Sequence, residues 1–416
     1  MDYLRRTIDL ELDELLPLAP AIAIDGPKGV GKTGTAVRRA ATTWFLDRPA
    51  QQEVARADFD FSSVGPGTLL LDEWQRVPQV WDAVRRQVDD GALPGRFLLT
   101  GSASPSDPSG THSGAGRILS LRMRPMALHE RGGVVPTVSM SHLLEGTAAP
   151  VGGSSNLELA QYVDAIVSSG FPAISAAAPR LRRGLLDSYV QAVIDRDLPE
   201  LGFGVRRPEV LKRWLAAYAA ASSTTTSYSR ILDATTGGDG TQPATTTTIA
   251  YRDHLTKLWL LDPVPGWIPA NNPIRRLQQA PKHQLADPAL AVSLLGLTAP
   301  RLVGGSGAHM AGPLFESLAT LGVRVMAQAS EARVYHLRMS GGDREVDLIV
   351  EGPEGQILAL EVKLAPSVTD HDVRHLRWLR DQIPERVADL AVITTGTHAY
   401  RRRDGVAVIP LALLGP

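Results

Sequence analysis

Gly26-Pro27-Lys28-Gly29-Val30-Gly31-Lys32-Thr33 is the stretch that decides the fold of the first part of this chain. It matches the pattern G-x-x-x-x-G-K-[ST], in which glycines allow the backbone to wrap around a phosphate with its NH groups pointing inward. The preceding residues, Ala21 to Asp25, predict a strand, and Lys32 to Leu46 predict a helix. This context favours a phosphate-binding loop over the alternative, a glycine-rich turn with a structural role alone.

The polar residues of this loop have expected partners on a nucleoside triphosphate. We expect all eight residues from Gly26 to Thr33 to line the nucleotide, with Lys32 bridging the β and γ phosphates. Thr33 is expected to be a ligand of Mg²⁺, because a hydroxyl at this position of a phosphate-binding loop commonly holds that ion. The expected cofactors are therefore ATP and Mg²⁺.

Two carboxylates follow a second predicted strand, Thr68 to Asp72. Asp72 and Glu73 stand at its carboxyl end, where open α/β sheets bind their ligands. We expect Asp72 to hold Mg²⁺ through water and Glu73 to polarise the water that attacks the γ phosphate. An apolar run ending in Asp-Glu is common by itself, but its position downstream of the glycine loop favours the catalytic interpretation.

The next predicted strand, Phe97 to Thr100, is followed by further candidates. The hydroxyls of Thr100 and Ser102 are suited to sense the γ phosphate or orient the water, and structural capping is the alternative. Arg117 follows a loop rich in Ser, Gly and Pro and is a candidate arginine finger. It would act within its own chain or from a neighbouring subunit of a homo-oligomer, and a plain surface arginine is the alternative.

Length and composition indicate how the chain is organised. A chain of 416 residues is too long to fold around a single hydrophobic core, and we predict three domains, at 1–150, 151–300 and 301–416. The predicted class is α/β, with a parallel-sheet ATPase domain, a mainly helical middle region and a mixed α/β C-terminal domain. Residues 132–155 are rich in small residues and predict a linker.

The middle region contains a candidate winged helix-turn-helix. Its clearest predicted helices are Tyr189 to Asp197 and Leu211 to Ala221, and a glycine-rich turn at Gly237 to Gly240 leads into a helix from Thr247 to Leu261. An extended segment containing proline follows, as a wing would. Such units serve as packing modules as well as DNA readers, so both interpretations stay open.

Charge and residue usage exclude several function classes. The net charge is -1 and the pI near 6.8, so binding to DNA or RNA would need a local basic patch. The chain has no cysteine, which excludes disulfides and thiolate zinc sites. No apolar run approaches the length of about 18 residues that a membrane span needs. We therefore expect a cytoplasmic protein without a membrane partner.

The last third predicts a compact mixed α/β unit. The predicted elements are a helix at Leu314 to Leu321, strands at Val323 to Gln328, Arg333 to Met339, Glu345 to Glu351 and Gln356 to Lys363, a helix at Asp370 to Asp381 and a strand at Leu390 to Thr394. Basic residues on the second helix and at Arg401 to Arg403 predict a phosphate-binding patch, although exposed basic residues are more often simply solvated.

Carboxylates on two of these strands resemble the PD-(D/E)xK nuclease core. Asp347 stands in one strand, and Glu361 and Lys363 share one face of the next because they are two residues apart. The resemblance implies that Asp347 and Glu361 hold Mg²⁺, that Lys363 assists the attacking water and that Glu316 supplies another acid. The family proline before the aspartate is replaced by Val346. The alternatives are a solvated strand face or a binding-only descendant.

Motifs along nearly the whole chain resemble the AAA-type ATPases of the archaeal ATPase group, which usually carry a C-terminal domain of unknown function. In the ATPase region they are Tyr3-Leu4-Arg5-Arg6, Gly26 to Thr33, Asp72 to Pro78, Leu99 to Ser102 and Gly116-Arg117. In the C-terminal domain they are Gly170-Phe171-Pro172, Arg196-Asp197, Asp287, Gly312 to Glu316, Glu345 to Asp347 and Glu361 to Lys363. Gly34-Thr35 departs from the family, which more often has Thr followed by apolar residues.

These patterns support one leading interpretation of function and one alternative. The leading interpretation is ATP hydrolysis with Mg²⁺ at residues 26–117 that is coupled to a nuclease-like C-terminal domain and acts on DNA or RNA. The alternative is a nucleotide-dependent switch or interaction protein whose C-terminal domain is degenerate and does not cleave.

Overall fold

A computed structural model describes residues 3–102, 115–146, 149–235, 243–268, 280–339 and 341–416. The chain divides into two compact units. The first contains the described residues up to Arg124 together with Lys257–Leu260, and the second contains Pro125–Thr256 and Leu261–Pro416. The predicted domain boundaries near residues 150 and 300 stay predictions.

The first unit is built on a parallel sheet. Its strands are β1 Ala21–Asp25, β2 Thr42–Phe45, β3 Leu69–Asp72, β4 Phe97–Gly101 and β5 Leu119–Arg122. They pair in the order β2-β3-β4-β1-β5, and every neighbouring pair is parallel. The helices of this unit are α1 Ile8–Leu15, α2 Lys32–Val37, α3 Pro49–Ala57 and α4 Gln79–Asp89. Because parallel strands end at one edge, the residues after β1, β3 and β4 converge there.

Burial explains why these segments form strands. All residues of β1, β3 and β4 are buried, as expected for a sheet covered on both faces. The aromatic residues Trp44, Phe61 and Phe97 pack in series, with ring centroids 5.8 and 5.1 Å apart. Helix α4 buries Trp81 along its apolar face, and this ring lies 4.7 Å from that of Trp74.

The predicted helix from Lys32 to Leu46 was wrong beyond its first turns. Helix α2 ends at Val37, and Thr42–Phe45 forms the edge strand β2, paired with β3. Two threonines and two aromatic residues favour a strand, since their side chains pack well on a pleated surface. Hydrogen bonding to β3 and burial of Trp44 therefore outweigh the helical spacing.

The second unit begins with helices, as the sequence predicted for the middle region. They are α5 Met140–Glu145, α6 Leu159–Ser168, α7 Pro172–Ser175, α8 Pro179–Ala192, α9 Leu198–Glu200, α10 Pro208–Ala220, α11 Tyr228–Ala234, α12 Thr245–Lys257, α13 Pro288–Leu294, α14 Ala299–Gly304 and α15 Ala311–Ala329. After α12, antiparallel bridges join Leu261 to Leu285 and Val264 to Lys282. The glycine turn predicted at Gly237 to Gly240 lies outside the described residues, so the winged helix stays a prediction.

Residues 132–155 were predicted to be a linker, and the structure corrects this. They contain the strand β6 Val138–Ser139 and helix α5, whose Met140, Leu143 and Leu144 are buried. Strand β6 pairs in parallel with β13 Leu414–Gly415. Small residues had suggested flexibility, but the apolar side chains between them supply enough burial to order the segment.

A mixed sheet forms the rest of the second unit. Its strands are β7 Arg333–Arg338, β8 Glu345–Glu351, β9 Ile357–Val362, β10 Val387–Thr394, β11 Tyr400–Arg401 and β12 Ala407–Pro410, and helix α16 spans Arg374–Gln382. The order is β11-β12-β10-β9-β8-β7. Strands β7, β8 and β9 pair antiparallel, whereas β9, β10 and β12 pair in parallel. The structure thus confirms the α/β class with a parallel sheet, a helical middle and a mixed C-terminal sheet.

One predicted strand of this region was wrong. Val323 to Gln328 belongs to α15, which is continuous from Ala311 to Ala329. Twelve of its nineteen residues are buried, among them the unbroken run from Ser317 to Val323, so the helix is enclosed on all sides over these turns. Among the residues that the structure describes, no helix combines the length and apolarity needed to cross a membrane.

Candidate functional site

The glycine loop between β1 and α2 has the backbone that a phosphate-binding loop requires. Gly29 and Gly31 have φ angles of 80° and 103°, which favour glycine over residues with a Cβ atom. Gly26 faces a tighter restriction, because a Cβ there would lie 2.1 Å from the carbonyl oxygen of Met123. Pro27 and Val30 are buried, Lys28 is half-buried and Gly29 is exposed. The loop conformation therefore depends on these glycines.

Lys32 folds back over the loop. Its Nζ atom donates to the carbonyl oxygens of Gly26 and Pro27 over 2.8 and 2.9 Å. Burial lowers the pKa of Lys32 to about 8, against the opposing effects of Glu73, Asp25 and Asp72. The ammonium is thus held inside the loop where the phosphates are expected.

Thr33 and Thr100 both donate to one carboxylate oxygen of Asp72. The Thr33 Oγ1 to Asp72 Oδ1 distance is 2.8 Å, and Thr100 reaches the same oxygen from the end of β4. Asp72 is 5% exposed and Thr100 is fully buried. The structure therefore brings the loop, β3 and β4 together through three residues that the sequence had selected as candidates.

Glu73 and Ser102 meet through a residue that the sequence had not singled out as a candidate. Gln75 donates through Nε2 to Glu73 Oε2 and also to Ser102 Oγ, the latter over 3.1 Å. Glu73 has a φ of 56°, in the left-handed region, and its backbone N donates to Thr100 Oγ1 over 3.3 Å. Gln75 thus orients the carboxylate of Glu73 towards Ser102. Its position two residues after Glu73 was the available signal, but a lone Gln carries little chemical information.

Residues before β1 also support the loop. The Arg6 guanidinium donates through NH1 to the Val30 carbonyl over 2.9 Å and through NH2 to the Arg124 carbonyl over 2.8 Å. The Tyr3 hydroxyl lies 2.8 Å from Thr35 Oγ1 on α2, and burial raises the pKa of Tyr3 to about 12, with a hydrogen bond to Asp9 adding to the effect. Tyr3 and Arg6 belong to one of the motifs that resemble the ATPase family, but the sequence predicted no role for them.

Arg117 lies away from the loop in this unit. Its Nε atom donates to Asp89 Oδ1 over 2.9 Å, at the end of α4. In the register of β5 with β1, Arg122 pairs with Asp25, so Arg117 lies five residues before the level of the loop. Arg117 lies in a turn before β5, and its partner Asp89 ends helix α4, which leads back to the start of β4 at the edge of the sheet opposite the loop. This register disfavours contact with a nucleotide bound by the same chain. Residues 103–114 of the loop before it lie outside the described residues.

The second unit brings its predicted acidic residues together. Asp347 Oδ2 accepts from the backbone N of Val362 over 2.9 Å, which couples β8 to β9 beside Glu361. Lys363 Nζ lies 3.1 Å from Glu361 Oε2. Glu316, on α15, shares the partner Lys282 with Asp347. We call the four carboxylates of this region the acidic cluster: Glu316, Glu345, Asp347 and Glu361.

Lys282 is the residue of this cluster that sequence reasoning missed. Its Nζ lies 2.8 Å from Glu316 Oε1, 3.1 Å from Asp347 Oδ1 and 3.6 Å from Glu345 Oε1. It stands 65 residues before Asp347, so no local motif connects the two. Its membership among the chain's six lysines was the only signal in the sequence.

Burial and charge set the protonation of this cluster. Burial raises the pKa of Glu316 to about 8, assisted by Asp347 and opposed by Lys282. Burial also raises the pKa of Glu361 well above its ordinary value, with Asp347 as the next cause. Burial alone would also raise the pKa of Asp347. The positive charges of Lys282 and Lys363 outweigh this effect, so the pKa of Asp347 is lowered. Asp347 is therefore held in the charged form more firmly than Glu316 or Glu361.

Two of the predicted C-terminal metal ligands pair with Lys282. Within the described ranges, no group of three or more Asp, Glu or His residues has the arrangement that holds a metal ion. Glu316, Asp347 and Glu361 had been predicted as ligands, but the ammonium of Lys282 occupies the space between the first two. The binding of Mg²⁺ by Glu316, Asp347 and Glu361 stays a prediction.

Acidic partners offset the predicted basic patch on the same unit. Arg401 pairs with Asp389 over 2.6 Å, and Arg402 pairs with Asp370 and, over 3.2 Å, with Asp404. Asp370, Arg377, Arg402, Arg403 and Asp404 line a cavity of about 380 Å³. The alternation of charges makes this surface a weaker phosphate-binding site than the arginine count implies.

Three segments of the chain match family models. Residues 19–131 match an AAA domain, residues 311–414 match a domain of unknown function, DUF4143, and residues 159–301 match another, DUF8612. The first match and the loop geometry agree on the class: residues 19–131 match an AAA domain and contain a P-loop, which supports ATP binding and hydrolysis. The predicted C-terminal domain of unknown function is also present.

Individual proteins are similar over longer stretches. The uncharacterized proteins Mb2031c of Mycobacterium bovis and Rv2008c of Mycobacterium tuberculosis are each 27% identical to this chain, over 98% of it and 83% of their own length. The solved structure of the Walker-type ATPase PABY2304 of Pyrococcus abyssi has a TM-score of 0.39 and 15% identity, covering 70% of this chain and 96% of that chain.

Proposed function

We propose that this protein binds ATP at residues Gly26 to Thr33 and hydrolyses it with the assistance of Asp72 and Glu73. The observation that carries the proposal is the hydrogen bond between Thr33 and Asp72, because it joins the first turn after the loop to the carboxyl end of β3. In parallel α/β sheets this edge is where ligands bind. The AAA domain match over residues 19–131 supports the same chemistry.

Each residue of the site has a task in this proposal. Backbone NH groups of the loop and the start of α2 bind the β and γ phosphates, and Lys32 leaves its loop carbonyls to meet their negative charge. Glu73 orients the attacking water and accepts its proton, while Gln75 and Ser102 hold the Glu73 carboxylate in position. Thr100 fixes Asp72 from β4.

The oxygen donors of this site fit Mg²⁺. Thr33 Oγ1 and Asp72 Oδ1 lie 2.8 Å apart, and a hydroxyl and a carboxylate are the oxygen ligands that this ion accepts beside water and phosphate. Thr33 would hold the ion directly and Asp72 through water. When bound, Mg²⁺ would neutralise charge on the phosphate oxygens.

Replacement of Lys32 with Ala tests the proposal. We expect loss of high-affinity ATP binding and of Mg²⁺-dependent phosphate release, measured by calorimetry and a phosphate assay on folded protein. Lys212→Ala, which removes an exposed lysine on α10, is the matched control and should leave both unchanged. Turnover at the wild-type rate in the Lys32 variant would eliminate the site.

We further propose that nucleotide turnover repositions the second unit, and that its partner is DNA or RNA in a cytoplasmic setting. For the acidic cluster, the contact of Lys282 with Glu316 and Asp347 favours a C-terminal domain that binds without cleaving. Incubation of the protein with DNA and RNA, with Mg²⁺ or Mn²⁺ and with or without ATP, separates the two outcomes. Cleavage that disappears in Asp347→Ala would establish a nuclease instead.

A further inference from the structure

Lys282 has a fixed position in the second unit. Its backbone N donates to Val264 O over 2.8 Å, and Val264 N donates to Lys282 O over 2.9 Å. The side chain is 1% exposed, so the stem is enclosed and the ammonium cannot retreat into solvent without a rearrangement. An unpaired ammonium in such a place would be very costly, and its retention requires compensating carboxylates.

Oxygen atoms of three carboxylates, from two elements of the fold, surround the Lys282 ammonium. Glu316 contributes from α15, and Glu345 and Asp347 contribute from β8. The main-chain oxygen of Asp347 adds a fourth contact at 3.4 Å. A set of carboxylate and carbonyl oxygens around one positive charge is also what hard divalent cations select.

We propose that Lys282 is a built-in cation that takes the place of a divalent metal ion in the acidic cluster. The ammonium uses the oxygen lone pairs of Glu316 and Asp347 that such an ion would need. It also repels a second positive charge strongly in a buried environment. Lys363 acts from the other side, where it pairs with Glu361 over 3.1 Å. The cluster is therefore charge-compensated by the chain itself and does not take up Mg²⁺ or Mn²⁺.

This arrangement gives the second unit an internal connection. Lys282 links the segment after α12 to both α15 and β8, which are separate in sequence. The proposal is independent of ATP hydrolysis by the first unit, because the residues involved all belong to the second. It can therefore fail or succeed whatever the outcome of the Lys32 experiment.

Manganese is the probe that tests the proposal, because it can be located as well as counted. Nucleotide-free wild-type protein is soaked or titrated with Mn²⁺, and the ion is located by anomalous diffraction and quantified by electron paramagnetic resonance. The same measurements are made on Lys282→Met, which retains the apolar stem, and on Lys282→Ala. Lys212→Met, which removes an exposed lysine on α10 outside the cluster, is the matched control.

We expect no Mn²⁺ at the cluster in the wild-type protein or in Lys212→Met. The Lys282 variants should bind Mn²⁺ there at least about tenfold more tightly than the wild type, because an adjacent like charge is removed. Adding Asp347→Asn should abolish this gain. Mn²⁺ coordinated by Asp347 and Glu361 in the wild type would overturn the proposal, as would a folded Lys282 variant that gains no site. If neither variant folds, the location of Mn²⁺ in the wild type decides.

Discussion

Thr33 Oγ1 donates a hydrogen bond to Asp72 Oδ1 over 2.8 Å, across a sequence separation of 39 residues. The bond joins the start of α2 to the end of β3, and Thr100 donates to the same carboxylate oxygen from β4. Three separate segments of the first unit therefore meet at one buried carboxylate. This convergence makes Asp72 the most informative single residue to change.

Asp72→Asn should reduce ATP hydrolysis by at least about 100-fold while weakening nucleotide binding much less, since charge develops on the phosphates during transfer. The amide retains the size and one acceptor oxygen for the two threonines, so the fold should persist. Steady-state phosphate release and calorimetric titration with ATP and Mg²⁺ measure the two effects. Asp60→Asn, at an exposed loop position, is the control. Hydrolysis within about threefold of wild type would contradict the assigned role.

The apparent affinity for ATP should fall as pH rises above about 8. Burial lowers the pKa of Lys32 to about 8, so the free protein loses this proton in alkaline solution, whereas phosphate binding requires the ammonium. Below that pH no proton is taken up on binding. Above it one proton is taken up, and affinity should decrease by up to about tenfold per pH unit.

Calorimetry in buffers with different ionisation enthalpies measures this proton uptake directly. Lys32→Arg provides the comparison, because a guanidinium stays charged across this range. Its affinity, even if weaker, should lack the alkaline decline. An alkaline decline of the same size in the arginine variant would assign the titration to another group.

Gly26→Ala should destabilise the first unit by at least about 2 kcal/mol, because a Cβ at this φ angle is strained and would overlap a main-chain oxygen. The added Cβ would lie 2.1 Å from Met123 O. Gly34→Ala is the matched change, since a Cβ added there on α2 would meet no atom of a neighbouring element within 4 Å. It should stabilise the helix by about 0.5 to 1 kcal/mol. Urea denaturation compares the two, and equal free energies of unfolding would refute the close approach at Gly26.

We expect Arg117 to act as an arginine finger on the nucleotide of a neighbouring subunit. Arg117→Ala and Lys32→Ala are each expected to be inactive alone, and mixing them should restore activity. With random assembly, about a quarter of the sites would combine an intact Lys32 with an intact Arg117 from the neighbour. Phosphate release by the mixture measures this recovery. Full activity of the Arg117→Ala variant would show that Arg117 has no role in hydrolysis and only forms a surface ion pair with Asp89.

The parts of this protein that the sequence predicted well are those whose chemistry is local. The strand before the glycine loop and strand β8 were predicted with the bounds that the structure has. The same reasoning failed at Thr42–Phe45 and at Val323–Gln328, where a short apolar run fits a helix or a strand equally well. Pairing with β3 decided the first case, and enclosure of α15 within the second unit decided the second.

The sequence alone determined that glycines and a lysine form a phosphate-binding loop, because the backbone angles and the charge required lie within eight consecutive residues. It also selected Asp72, Glu73, Asp347 and Glu361 as carboxylates at strand ends or on one strand face. Only the tertiary structure decided that Gln75 supports Glu73 and that Lys282 stands among the acids of the second unit. Such partners come from distant segments, and the electrostatic energy that joins them depends on distances and burial that arise when the chain is folded.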